Sequence, residues 1–267
     1  MRRRSSIADL GTLALALLLA ALPAAAQRRR AVGPVPAQQR ILFVGNSLTE
    51  ANDLPDVVCR LARAGGRDAV CESVVGSGYA LEDHAADGRA AQRLQRERWS
   101  IVVLQQGPSS LPKSRVSLRQ WTATFAAMVR AAGGVPALYA VWPEKARSGV
   151  FADVSESYRL AAADVGGLFV PAGDAWLAAW RRNAKSALYA GDDFHPSSAG
   201  TYLAALVFYR ALFGALPSRV ADPAFANSAA GTDLHLDERD LAVLRDAADE
   251  AVAAAAAGGA ESLRAPR

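Results

Sequence analysis

Five apolar runs punctuate the chain: Ile41–Val44, residues 69–75, Ile101–Leu104, Ala137–Trp142 and Leu168–Val170, most of them closing on a glycine or proline. All but residues 69–75, a strand candidate ending at Gly76, are continuous rather than alternating, the pattern of strands covered on both faces. Helical spacing fills the gaps. A helix over about 54–64 has Asn52 or Asp53 as its cap, Pro55 in its first turn and Gly65-Gly66 as its stop. A polar helix is predicted over about 88–97. Trp121, Phe125, Met128 and Val129 define another, ended by Gly133-Gly134, and residues 151–163 a further one. Asp174 is the expected cap of a helix bearing Trp176, Leu177 and Trp180. Ser197 or Ser198 caps one bearing Tyr202, Leu203, Leu206, Val207 and Tyr209, with Gly214 at its end. Residues 215–235 read as irregular. Asp237 caps the last helix, with Leu236 and Leu241 as a hydrophobic staple and Leu241, Leu244, Ala248 and Val252 on one face.

This alternation, without internal repeats, predicts one α/β domain over residues 40–267 with a mainly parallel sheet covered by helices. The segment before it reads differently. Arg2–Arg4, an apolar run over Ile7–Leu22 and Ala24-Ala25-Ala26 have the order of a secretory signal peptide over residues 1–26. Residues 27–39, with Gly33, Pro34, Pro36 and three arginines, read as a flexible lead-in. No other segment is long and apolar enough to span a bilayer. The expected location is therefore exported, periplasmic or extracellular.

Composition narrows the classes. The chain has 267 residues, 21% of them charged, and a formal charge of +4. Removing residues 1–26 leaves about +2, without the concentrated basic face of a nucleic-acid binder. Two cysteines exclude a disulfide-dense scaffold and a tetrathiolate zinc site, and three histidines leave little for a histidine-rich metal centre. In an oxidising compartment Cys59 and Cys71 could close a short disulfide loop, with two separate buried thiols as the alternative.

In a parallel sheet, sites form at the carboxyl ends of the strands. His195 has the chemistry of a general base, and Asp192, three residues upstream, is better placed than Asp193 to fix its tautomer. Ser47 follows a buried strand and a glycine where the chain turns toward a helix. That placement exposes its hydroxyl among backbone N–H groups. Gly78 has the freedom to bring a further N–H to the same space.

Gly45-Asn46-Ser47-Leu48, Gly78, Gly107-Pro108-Ser109-Ser110 and Asp192-Phe194-His195-Pro196 together resemble the sequence blocks of the SGNH, or GDSL-type, serine hydrolases, over roughly residues 40–213. The resemblance implies a three-layer, flavodoxin-like α/β/α sandwich and a metal-independent esterase or lipase site requiring no cofactor. It implies Ser47 as nucleophile and Asp192 and His195 as the rest of a triad. The oxyanion would be held by the N–H groups of Ser47 and of Gly78, or Gly76 as second choice. The third block departs from the pattern: the family's asparagine falls on Ser109, whose shorter hydroxyl donates to the oxyanion only if the loop comes closer, with Gln105 or Gln106 as the alternatives that reach in. The resemblance allows acetylated sugars, lipids, thioesters and simple aryl esters as substrates, and the expected export points to a small-molecule or glycan ester, such as an acetyl or short-chain ester on a carbohydrate.

Three neighbouring features carry less weight. Trp142 either borders the pocket or packs beneath it. Glu144, Lys145 and Arg147 form a polar loop able to contact substrate, although solvated charge is the commoner meaning of such a run. His84 is an additional candidate lining residue, and His235 reads as unrelated surface. Two other classes compete with hydrolysis: a non-catalytic carbohydrate-binding or accessory protein on the same fold, and an O-acyltransferase. A dinucleotide site is disfavoured, because the first turn lacks closely spaced glycines.

Overall fold

The computed structural model describes residues 38–231 and 234–264; the expected signal peptide and nearly all of the lead-in lie outside them. In chain order the elements are β1 Gln39–Gly45, α1 Ser47–Glu50, α2 Leu54–Ala64, β2 Ala69–Val75, α3 Leu81–Asp87, α4 Arg89–Arg96, β3 Ile101–Leu104, α5 Pro112–Ala131, β4 Val135–Tyr139, α6 Phe151–Asp164, β5 Leu168–Val170, α7 Ala172–Arg182, α8 Ser198–Phe213, α9 Pro223–Ala230 and α10 Glu238–Arg264. Short 3-10 turns precede α2, α6 and α9.

The five strands form one parallel sheet in the order β2-β1-β3-β4-β5. The first crossover runs from β1 to one side and the later ones run to the other. Right-handed connections then put α2 on one face and α3–α6 on the opposite face. α8 packs on α2, and α10 packs on α7 and α8. The result is a three-layer, flavodoxin-like α/β/α sandwich. Ile41–Val44 and Val102–Leu104 are wholly buried, as central parallel strands must be. The strand order reverses between β1 and β3, and in their register Val44 sits beside Leu104. Whatever follows these two strands therefore meets at the sheet's switch point.

Several expectations need correction. The fourth apolar run leaves the sheet after Tyr139, where pairing with β5 ends, and Ala140–Trp142 continue as buried non-strand chain. Asp174 lies inside the first turn of α7 rather than capping it; Pro171 holds the cap position, and the Asp174 carboxylate accepts from Ser155 Oγ at 2.7 Å. The stretch read as irregular contains α9, whose cap Asp222 accepts from Ala224 N and whose first residue is Pro223. Helix α3, Leu81–Asp87, lies where no element is expected from the sequence. Ser197 and Asp237 do cap α8 and α10 through their side chains.

Cys59 on α2 and Cys71 on β2 are joined by a disulfide, with a Cα–Cα distance of 5.9 Å. The bridge fastens the first crossover helix to the edge strand. Its 12-residue separation corresponds to about 3 kcal/mol of loop-closure entropy. Among the described residues no helix is long and apolar enough to cross a membrane.

Candidate active site

β1 delivers the chain to a tight turn. Asn46 caps α1, its side-chain oxygen accepting Leu48 N at 3.1 Å, and Ser47 is the first helical residue. Gly45 is required here, because a Cβ at that position would collide with Thr49 Oγ1 and Gln105 Oε1. The turn is held from below by Gln105, which follows β3. Its Oε1 accepts Asn46 N at 2.9 Å and Thr49 Oγ1 at 2.7 Å, and its Nε2 donates to Asn46 Oδ1 at 2.9 Å and to Gln106 O at 2.6 Å. His84 of α3 closes the other side. It is buried, and its Nε2 meets Gly45 O at 2.8 Å. Burial lowers its pKa, so the ring is neutral and donates from Nε2.

The second contribution comes from the loop before α8. Asp192 Oδ1 accepts the backbone N–H groups of Phe194 and His195, at 3.0 and 2.9 Å, which curls the loop back on itself. Asp192 Oδ2 lies 2.6 Å from His195 Nδ1, and His195 Nε2 lies 2.9 Å from Ser47 Oγ. These contacts, first the His195 ring N–H and then the two backbone donors, hold the Asp192 carboxyl at about 2. Asp193 points elsewhere, pairing with Lys145 Nζ at 2.8 Å.

Residues outside the two motifs fix this loop. Trp142 is fully buried, stacks on Trp176 with ring centroids 3.7 Å apart, and donates from Nε1 to Phe194 O at 3.0 Å. Trp142 is therefore a floor beneath the histidine loop and not a pocket wall. Asn52 Nδ2 donates to Pro196 O at 3.0 Å and to Thr201 Oγ1 at 2.9 Å, linking the end of the serine turn to the histidine loop. Asn52 holds a left-handed backbone with φ 51°. Sequence reasoning offered it only as a cap, although an asparagine in a turn is a signal for that conformation.

A cleft of about 430 Å³ opens over Ser47, lined by Asn46, Gly78, Tyr79, Gln106, Ser109, Ser110, Arg147 and Phe194 among others. The structure sorts the remaining candidates. Gly78 lies on the cleft with φ 73°, and its N–H has no acceptor among the described residues. The Ser47 N–H, first in its helix, has no intrahelical acceptor either. Gly76 faces away, since its N–H donates to Gly45 O at 3.2 Å. Gln105 does not line the cleft, its amide being fully engaged under the turn. Ser109 lines it, but its hydroxyl donates to Gly107 O at 2.9 Å. Gln106 Oε1 accepts Leu81 N, and its Nε2 donates to Ser109 Oγ at 2.8 Å, which fixes the amide's orientation and leaves a second N–H on the same nitrogen. His84 lies behind the serine turn, not in the cleft, and His235 is exposed away from it. Among the described residues no group of three His, Cys, Asp or Glu side chains converges as a metal site would require.

A serine, an imidazole and a carboxylate thus stand in line at the switch point of a flavodoxin-like sheet. No protein-family model matches the chain, and no curated protein does. Among solved structures, it is similar to an SGNH hydrolase from Slackia heliotrinireducens, at 30% identity and a TM-score of 0.56, over 66% of this chain and 99% of the other. The chain belongs to the SGNH hydrolase family. The fold is shared with a DUF4886 family protein from Bacteroides uniformis (16% identity, TM-score 0.61, 79% of this chain and 94% of that one) and with TesA (20%, 0.54, 66% and 98%).

Proposed function

We propose that the protein is an exported serine esterase that cleaves carboxylic esters through an acyl-enzyme, with Ser47 as nucleophile, His195 as general base and acid, and Asp192 orienting the imidazole. The carrying observation is the 2.9 Å approach of His195 Nε2 to Ser47 Oγ, with Asp192 on the other ring nitrogen. His195 takes the Ser47 proton as the oxygen attacks the ester carbonyl. The carbonyl oxygen gains negative charge and is met by the N–H groups of Ser47 and Gly78. The second Nε2–H of Gln106 supplies the third donor, in place of the family asparagine that Ser109 replaces. The alcohol leaves with the proton from His195, and water activated by the same ring frees the acid. No step calls for a metal or an organic cofactor.

Ser110, whose hydroxyl accepts from Arg147 and keeps its own proton to donate, suits with Arg147 a polar alcohol such as a sugar, and we assign the substrates to short acyl esters of carbohydrates. The test is a burst-and-turnover assay on aryl acetates with residues 27–267, alongside Ser47→Ala and His195→Ala. The expected result is a burst stoichiometric with enzyme that both substitutions abolish. Turnover that persists unchanged in Ser47→Ala would remove the reading.

A further inference from the structure

The cleft carries a charge that the triad does not use. Among its lining residues Arg147 is the single charged side chain, and none is a carboxylate. Its placement is built from two anchors. At one end of the 3-10 turn Lys145–Val150, Lys145 is fastened to the histidine loop, with its N–H on Asp193 O at 2.9 Å and its Nζ on Asp193 Oδ1 at 2.8 Å. Two residues on, Arg147 Nη2 donates to Ser110 Oγ at 2.9 Å, on the loop that follows β3. The segment thus joins the histidine loop to the β3 loop along the cleft.

The guanidinium is weakly neutralised. Its nearest carboxylate, Glu144, stands at 4.0 Å, whereas Arg119 and Arg159 hold their partners at 2.5 and 2.7 Å. One N–H is engaged by Ser110, and the fork keeps others for a ligand. A leaving alcohol must stand at His195 Nε2 to collect its proton, and the Arg147 segment is fastened to that same loop. Arg147 therefore serves the alcohol side of the ester.

We propose that the preferred ester carries a carboxylate on its alcohol part, received by Arg147 with the Ser110 hydroxyl beside it; this rests on the esterase reading above. An acylated acidic sugar has this chemistry. A guanidinium matches a carboxylate's two oxygens in a way a neutral hydroxyl does not exploit.

The test compares 4-acetoxybenzoate with its neutral isostere 4-acetoxybenzamide, each rate divided by its rate of hydroxide hydrolysis. The wild-type protein is expected to favour the benzoate about tenfold in kcat/KM, less so as salt is added. Arg147→Gln should bring the ratio near one, and Arg147→Lys should leave an intermediate value. A folded Arg147→Gln protein that keeps the wild-type ratio, or lowers both esters alike, would overturn the proposal. So would a wild-type protein that shows no preference while turning over both esters. If neither ester is cleaved in a Ser47-dependent way, the esterase reading itself fails and takes the proposal with it.

Discussion

Gln105 and Asn46 are paired in both directions: the Gln105 side-chain oxygen accepts the Asn46 backbone N–H at 2.9 Å, and the Gln105 nitrogen donates to Asn46 Oδ1 at 2.9 Å. One buried amide therefore sets both the backbone and the cap of the turn that presents Ser47. Gln105→Leu would leave Asn46 N–H and Thr49 Oγ1 without their acceptor in a dry site. Each unsatisfied group costs about 1–3 kcal/mol, so for the two an overall loss of about 2–6 kcal/mol is expected in denaturant unfolding. The acylation burst should slow at least tenfold (~1.4 kcal/mol), because the serine no longer has a fixed position. An unchanged burst rate in the folded variant would show that the clamp does not position the serine.

Asp192 contributes through its ionised form. Asp192→Asn keeps an oxygen for the Phe194 and His195 N–H groups but favours the wrong imidazole tautomer. A fall in kcat of about 10³- to 10⁴-fold is expected, with the loop intact. The carboxyl is lowered to about 2 from its ordinary 3.8. A depressed carboxylate adds stability that is fully present above about pH 4 and is lost as pH falls through 2. The stability difference between wild type and Asp192→Asn should therefore be flat above pH 4 and shrink below it. Unfolding curves across that range check the sign.

The parts of the molecule that could be read from the sequence are those fixed by local signals. The runs at Ile41–Val44 and Ile101–Leu104 are apolar throughout because both faces of a central parallel strand are covered. The fourth apolar run extends past its strand because Ala140–Trp142 are equally buried, and apolarity does not distinguish a strand from buried non-strand chain. Asp192 and His195 were legible as neighbours three residues apart. Gln105, His84 and Asn52 were not legible in their actual roles, because their contacts span 59, 39 and 144 residues. The sequence suggested a chemistry for Gln105 and His84, a donor and a lining residue. The fold turned both toward the backbone of the serine turn.

His84 gives that turn a dependence on pH. Its ring is buried against Gly45 O, Nδ1 has no partner among the described residues, and burial lowers the pKa below the ordinary 6.5. Desolvation is the largest influence; the hydrogen bond to Gly45 O and the charges of Asp87 and Asp83 act against it, Arg89 acts with it, and the outcome is a lowered pKa. As pH falls through about 6.5 the unfolded chain takes up a proton here that the native chain refuses. Native stability should therefore decline from that point downward. His84→Gln retains a donor for Gly45 O and has no proton to take up, so its stability should vary less over the same range. Parallel wild-type and variant slopes between pH 7 and 5 would remove His84 as the cause.

Asn52 offers a separation of backbone strain from hydrogen bonding at the junction of the serine turn and the histidine loop. Its φ of 51° is tolerated by asparagine and glycine and costs alanine about 1 kcal/mol or more. Its Nδ2 bonds to Pro196 O and Thr201 Oγ1 are lost in either substitution. Asn52→Gly should therefore be destabilised less than Asn52→Ala, by about the strain difference alone. The burst rate should fall by the same factor in both, since both release Pro196, the residue after His195, from the end of the serine turn. If instead the burst rate follows stability and Asn52→Gly acylates like wild type, the left-handed turn at Asn52, and not its grip on Pro196, is what keeps His195 Nε2 within reach of Ser47 Oγ.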